Sequence, residues 1–205
     1  MSPETSSTRV RNALNTLRNA AALILALGMG PVAWSLPTST EPSLVDLSNA
    51  PSVYVQGSWA QHSTNAAAVG VTLPWNGWSR DWWGGEVRGH WDINATRLSF
   101  DGARNVDHTW MFGLKPTLRW RADHGQSPWF VEAGIGLSYM TDRYVTVHKE
   151  FSTRFNFASH VGVGYNFGEQ RRHELQMRLE HVSNAGIKHP NPGENFAELR
   201  YAYHF

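Results

Sequence analysis

The segment His181-Val182-Ser183-Asn184-Ala185-Gly186, followed by Pro190-Asn191-Pro192-Gly193-Glu194-Asn195, places an imidazole, a hydroxyl and a carboxylate within fourteen residues. A serine hydroxyl is a weak nucleophile until a base takes its proton, and the imidazolium so formed is stabilised by a nearby acid. His181, Ser183 and Glu194 are therefore a candidate base, nucleophile and acid. Short patterns of this kind also occur as ordinary surface polars. Their meaning depends on the elements that hold them.

The 205 residues suffice for one domain. Ten Trp, nine Phe and six Tyr accompany eighteen Gly and a negative mean hydropathy. The body of the chain has no stretch approaching the roughly 20 apolar residues of a membrane helix. Aromatic enrichment without apolar blocks suits a transmembrane β-barrel, in which lipid-facing and lumen-facing residues alternate and dilute the average. Arg9, Arg11 and Arg18 precede the apolar run from Ala20 to Gly28, a basic region and a short hydrophobic region that read as a secretory signal peptide over residues 1–35, with cleavage after Ser35. Residues 36–51 form an N-terminal segment of the mature chain and 52–205 the barrel. Removing 1–35 deletes three Arg and one Glu and turns a formal charge of +1 into −1, so no nucleic-acid partner is implied. There is no Cys, no nucleotide-binding glycine loop and no HExxH motif, and the ten His lack ligand spacing, so neither metal nor cofactor is expected.

From residue 52 onward the dominant pattern is alternation with period two, broken at intervals by turn residues. It predicts eight strands, at 52–62, 66–75, 86–100, 108–120, 127–140, 154–167, 172–183 and 196–205. In the fourth, Trp110, Phe112, Leu114, Leu118 and Trp120 alternate with Met111, Gly113, Lys115, Thr117 and Arg119. Trp75, Trp82, Trp83, Trp120 and Trp129 cluster near the turns after the second and fourth strands, as an interfacial girdle would. The fold expected is all-β: an eight-stranded antiparallel transmembrane barrel with a filled polar interior, its lumen packed by Arg88, Asp92, Lys115, Arg119, Glu132, Arg178, Glu180 and Arg200. A soluble eight-stranded calyx is the structural alternative and would need apolar residues inside.

Residues i and i+2 share a face of a strand. His181 and Ser183 thus continue the outward row Leu175, Met177, Leu179. With the N-terminus periplasmic, the seventh strand runs outward and carries the pair to the outer leaflet, and residues 184–195 form an extracellular loop. The last strand alternates to a terminal Phe205 and resembles the C-terminal signature of bacterial outer-membrane barrels, through which the barrel assembly machinery would be the partner.

The combination resembles the lipid A 3-O-deacylase (PagL) family of outer-membrane enzymes. Beside the 181–186 segment, the resemblance rests on Gly89-His90-Trp91-Asp92 and on Phe130-Val131-Glu132-Ala133-Gly134-Ile135-Gly136. It implies a serine esterase that hydrolyses the ester-linked acyl chain at position 3 of lipid A in lipopolysaccharide and releases a 3-hydroxy fatty acid. Ser183 would be the nucleophile and His181 the general base, with the Asn184 side-chain amide and the Gly186 N–H as oxyanion donors. In the family the acid falls one place later, where this chain has Asn195. Glu194 is assigned as the acid; the alternative is that Asn195 orients the histidine as a neutral amide while Glu194 is solvated.

Two other readings belong to different classes. A structural or adhesive barrel would be expected to carry long outer loops, and the longest here are about 142–153 and 184–195. An acyltransferase working through an internal acyl ruler would want its reactive groups in the lumen. Self-association into a homodimer is left open by the sequence.

Overall fold

A computed structural model of the chain describes residues 45–205 apart from His62, Arg104 and Asn105, so the expected signal peptide lies outside the described residues. Eight antiparallel strands close into a barrel: β1 (Ser52–Trp59), β2 (Asn65–Trp82), β3 (Gly85–Ser99), β4 (His108–Arg121), β5 (Trp129–Met140), β6 (Phe155–Phe167), β7 (His173–Ser183) and β8 (Glu194–His204). Each pairs with its sequence neighbours, and β1 closes on β8. One end of the barrel carries residues 45–51, Phe205 and the connections after β2, β4 and β6. The other, the loop end, carries the connections after β1, β3, β5 and β7, of which those after β5 and β7 are the longest.

Polarity along every strand is inverted relative to a water-soluble protein. On β4, Trp110, Phe112, Leu114 and Leu118 are exposed, whereas Met111, Lys115, Thr117 and Arg119 are buried. A continuous apolar outer wall is what contact with hydrocarbon requires, and it excludes the soluble calyx. Rings encircle the wall at the terminus end: Trp82 stacks on Trp83, Trp129 meets Tyr165, and Phe167, His173 and Tyr203 continue the band. His173 is thus a member of the girdle.

The lumen is filled by paired charges. Asp92 accepts hydrogen bonds from Tyr54 Oη at 2.5 Å and from Arg178 and Arg200, both at 2.9 Å. Arg119 bridges Glu132 and Glu174, and Lys115 meets Glu180. A buried charge without a partner would be costly, so the pairing is what lets a polar core exist inside an apolar wall. Arg88 departs from the expected lumen set: it is half exposed and pairs with Glu86 at the start of β3. The interior is also less uniformly polar than the alternation suggested. At the loop end the inward positions turn apolar, and Leu98, Met111, Met140, Val182 and Phe196 pack with Phe100, Tyr144 and Phe151 into a plug.

β2 runs past its expected end because it contains a bulge. Its pairing with β3 jumps between Pro74 and Ser79, so residues 75–78 oppose only Gly89. Pro74 has no N–H for the ladder, and a Cβ on Gly89 would stand 1.9 Å from the Trp75 ring. The glycine gives that indole its seat.

Candidate active site

Three facts of register build the site. His181 pairs across to Asn195 of β8 and to Ser159 of β6, while Val182 pairs with Glu194. Partners directly opposite in a sheet share a face. His181 and Asn195 are accordingly both exposed on the outer wall, and Val182 and Glu194 are both buried inside it. Ser183, last residue of β7, is half-buried on the His181 side.

His181 Nδ1 lies 2.8 Å from Asn195 Oδ1. An amide oxygen only accepts, so Nδ1 carries the proton and Nε2 is left with its lone pair, the tautomer a general base requires. Ser183 Oγ makes no hydrogen bond among the described residues, and serine–histidine bonds commonly tighten only with substrate in place. Gly193 brings the two side chains to one spot. A Cβ built on it would stand 2.7 Å from His181 Cε1, 3.3 Å from Nε2 and 3.6 Å from Ser183 Cβ. Its φ of +64° also lies in the left-handed region. Gly193→Ala should therefore displace the imidazole from its place beside Ser183 and, if these residues are the catalytic pair, cut turnover by about 10²-fold, read as kcat on a purified barrel whose unfolding temperature is compared with wild type.

The structure corrects the assignment of the acid. Glu194 does not reach His181. Its carboxylate turns inward, accepting from Tyr144 Oη at 2.9 Å and pairing with Lys149 Nζ at 2.8 Å. The cause is that strict alternation persists to the first residue of β8, where an inward carboxylate cannot cross the wall. Burial, ahead of the adjoining Glu194 charge, pushes the Tyr144 phenol up, so it stays a donor.

The two groups expected as oxyanion donors have partners of their own. Asn184 is buried, and its amide nitrogen is committed to Ser152 Oγ at 3.0 Å and to the Lys188 carbonyl at 2.7 Å. Gly186 N–H donates to Asn184 Oδ1 at 3.0 Å. Both expected donors thus have partners in the 141–154 and 184–193 connections. Their bonds fold residues 184–188 into a compact turn, which Asn191 Oδ1 anchors by accepting from Asn184 N at 3.0 Å. Among the described residues, no group of three or more His, Asp or Glu is arranged to hold a metal ion.

Sequence reading passed over Gly193, Asn191, Ser152, Lys149 and Tyr144. The Pro-Gly pair marks Gly193 as a turn residue, yet its closeness to His181 is a property of the folded loop alone.

A family model described as Lipid A 3-O-deacylase (PagL) matches residues 65–204, a span that contains every site residue named here. The chain is 31% identical over 130 residues to Lipid A deacylase PagL of Bordetella bronchiseptica, covering 60% of this chain and 70% of that one. It is 29% identical over 155 residues to Lipid A deacylase PagL of Pseudomonas aeruginosa, covering 69% and 86%. Among solved structures, that of the outer membrane enzyme PagL superimposes with a TM-score of 0.63 at 24% identity, over 75% of this chain and 99% of that one, a likeness of fold.

Proposed function

The chain belongs to the lipid A 3-O-deacylase (PagL) family, and from that premise we propose that Ser183 attacks the 3-O-acyl carbonyl of lipid A, with His181 as its base and Asn195 holding the imidazole. The protein is an outer-membrane lipid A deacylase, a hydrolase acting on lipopolysaccharide. The observation that carries the residue assignment is the 2.8 Å bond from His181 Nδ1 to Asn195 Oδ1, made on the lipid-facing side of β7 beside Ser183.

In the first half-reaction His181 Nε2 takes the Ser183 Oγ proton as Oγ bonds to the ester carbon. The tetrahedral intermediate then collapses by breaking the bond to the sugar oxygen, which leaves with the proton returned from Nε2. Water, deprotonated by the same nitrogen, attacks the acyl-serine. Its collapse frees the 3-hydroxy fatty acid and restores Ser183. Asn195 cannot neutralise the transient imidazolium as a carboxylate would, so its contribution is orientation and the fixed tautomer. No cofactor enters these steps.

With residues 45–51 and Phe205 at the periplasmic end, the loop end faces outward and the site meets the outer leaflet. From His181 the outward row continues through Leu179 and Met177, with the small Ala197 opposite Leu179. A chain lying along this row is solvated as it was in the bilayer, so substrate arrives by lateral diffusion. Phe205, which is exposed and whose backbone N–H is bonded to the Pro51 carbonyl, is the group we assign to the barrel assembly machinery. Mass spectrometry of lipid A from cells with and without the protein tests the function. Expression should remove one hydroxyacyl mass, and an unchanged profile in a host whose lipid A carries a 3-O-acyl chain would sink the reading.

A further inference from the structure

Glu194 is the acid the sequence offered, and the site does not use it as one. Its surroundings are nonetheless built with care. Oε1 accepts from Lys149 Nζ at 2.8 Å and from the backbone N–H of Asn195 at 3.1 Å, while Oε2 accepts from Tyr144 Oη at 2.9 Å. The same ammonium reaches back to the Gly193 carbonyl at 3.2 Å. Lys149 and Tyr144 belong to residues 141–154, the connection between β5 and β6, so a separate loop grips the chain on both sides of Glu194.

We propose that Lys149 and Glu194 are positioning residues for deacylation: their ion pair clamps the backbone of residues 193–195 from inside the barrel, so that Asn195 on the outer wall holds His181 and Gly193 lies against the imidazole. The inference rests on the roles proposed for Ser183, His181 and Asn195. Three features carry it. First, Val182–Glu194 is the last registered pair between β7 and β8, so the ladder itself does not fix Gly193. Second, every polar contact of the clamp ends on Gly193, on Glu194 or on the N–H of Asn195, the three residues that set the geometry at His181. Third, the clamp is itself anchored. Tyr144 makes ring contacts with Phe100 and Phe151 at 4.8 and 5.2 Å in the apolar plug, and its hydroxyl lies 2.7 Å from Thr64 Oγ1. The same loop supports the other flank of the site, where Ser152 Oγ donates to the Lys188 carbonyl and accepts from Asn184.

A plain stability anchor would use the same contacts, and kinetics separate the two roles. Lys149→Met alone would leave a buried carboxylate unpaired and could unfold the loop, so the informative variant is the neutral pair Lys149→Met/Glu194→Gln, which keeps the volumes. With purified full-length barrel in detergent micelles and lipid A as substrate, it should lose about 10-fold in kcat, because a displacement well under 1 Å at a catalytic base is enough for that. KM should stay within about twofold, since neither side chain touches the lipid. Lys149→Arg, which keeps the charge and the donor, should restore most of kcat. Wild-type kcat and an unchanged pH–rate profile in the neutral pair would overturn the proposal, as would a loss confined to the unfolding temperature. Ser183→Ala is run alongside: deacylation surviving in it strikes the underlying assignment, whereas an inactive Ser183→Ala beside a fully active neutral pair strikes the clamp alone.

Discussion

Ser183→Ala and His181→Ala are each expected to lower deacylation by at least ~10³-fold, and the double variant should be no worse than the more damaging single one. A nucleophile and its base act as a unit, so removing either forfeits nearly all that both supply. The fold should be indifferent. His181 is exposed on the outer wall, and half-buried Ser183 ends its strand without a hydrogen bond from its hydroxyl among the described residues. Substitutions of that kind usually change stability by no more than about 0.5 kcal/mol. The check is twofold: release of 3-hydroxy fatty acid from lipid A by purified protein, and heat-modifiable migration of the barrel on gels. A folded Ser183→Ala or His181→Ala barrel with full activity would remove that residue from the mechanism.

The barrel was legible because period-two alternation is a local property that survives in every strand. Inverted polarity and the aromatic girdle then favour the membrane barrel over the soluble calyx. The same counting placed His181 and Ser183 on the outer wall, where the structure has them. Counting back from Leu199 also put Asn195 outward and Glu194 inward. The ladder holds to Val182–Glu194 with no bulge, so Glu194 keeps its inward parity.

Other features lay beyond local pattern. The apolar plug gathers inward residues from β3, β4, β5, β7 and β8, with Ala158 of β6, at the loop end, and height depends on strand stagger, which alternation does not encode. The grip of Lys149 on Gly193 and Glu194 joins residues more than forty positions apart. Asn184 was read as an oxyanion donor because the family pattern suggested it. Its amide is instead consumed by Ser152 and Lys188, one of them on another loop. The β2 bulge lies outside the alternation: the expected strand ends at Trp75, whereas the chain rejoins β3 at Ser79.

Asn195 carries the second large effect. Its Oδ1 is the partner that sets the His181 tautomer, so Asn195→Ala frees the ring to rotate and to carry its proton on either nitrogen. A loss of about 10²-fold in kcat is expected, less than for His181→Ala because a fraction of the imidazole population stays productive. Asn195→Asp should act in the opposite direction. A carboxylate accepts the same Nδ1–H bond and adds a charge that stabilises the imidazolium formed during acylation, and charge-assisted bonds are roughly twice as strong as neutral ones. The rate at the optimum should rise by up to roughly 10-fold. Asn195→Ala leaves no charge behind and should lower the rate across the whole pH range. Glu194→Gln offers the contrast, because its carboxylate faces Lys149 and Tyr144 on the far side of the wall and should reach His181 only through the backbone. If Asn195→Ala kept wild-type kcat while Glu194→Gln moved the acidic limb of the pH–rate profile, the carboxylate would be the group that governs His181 and the neutral orienting amide would have to be abandoned.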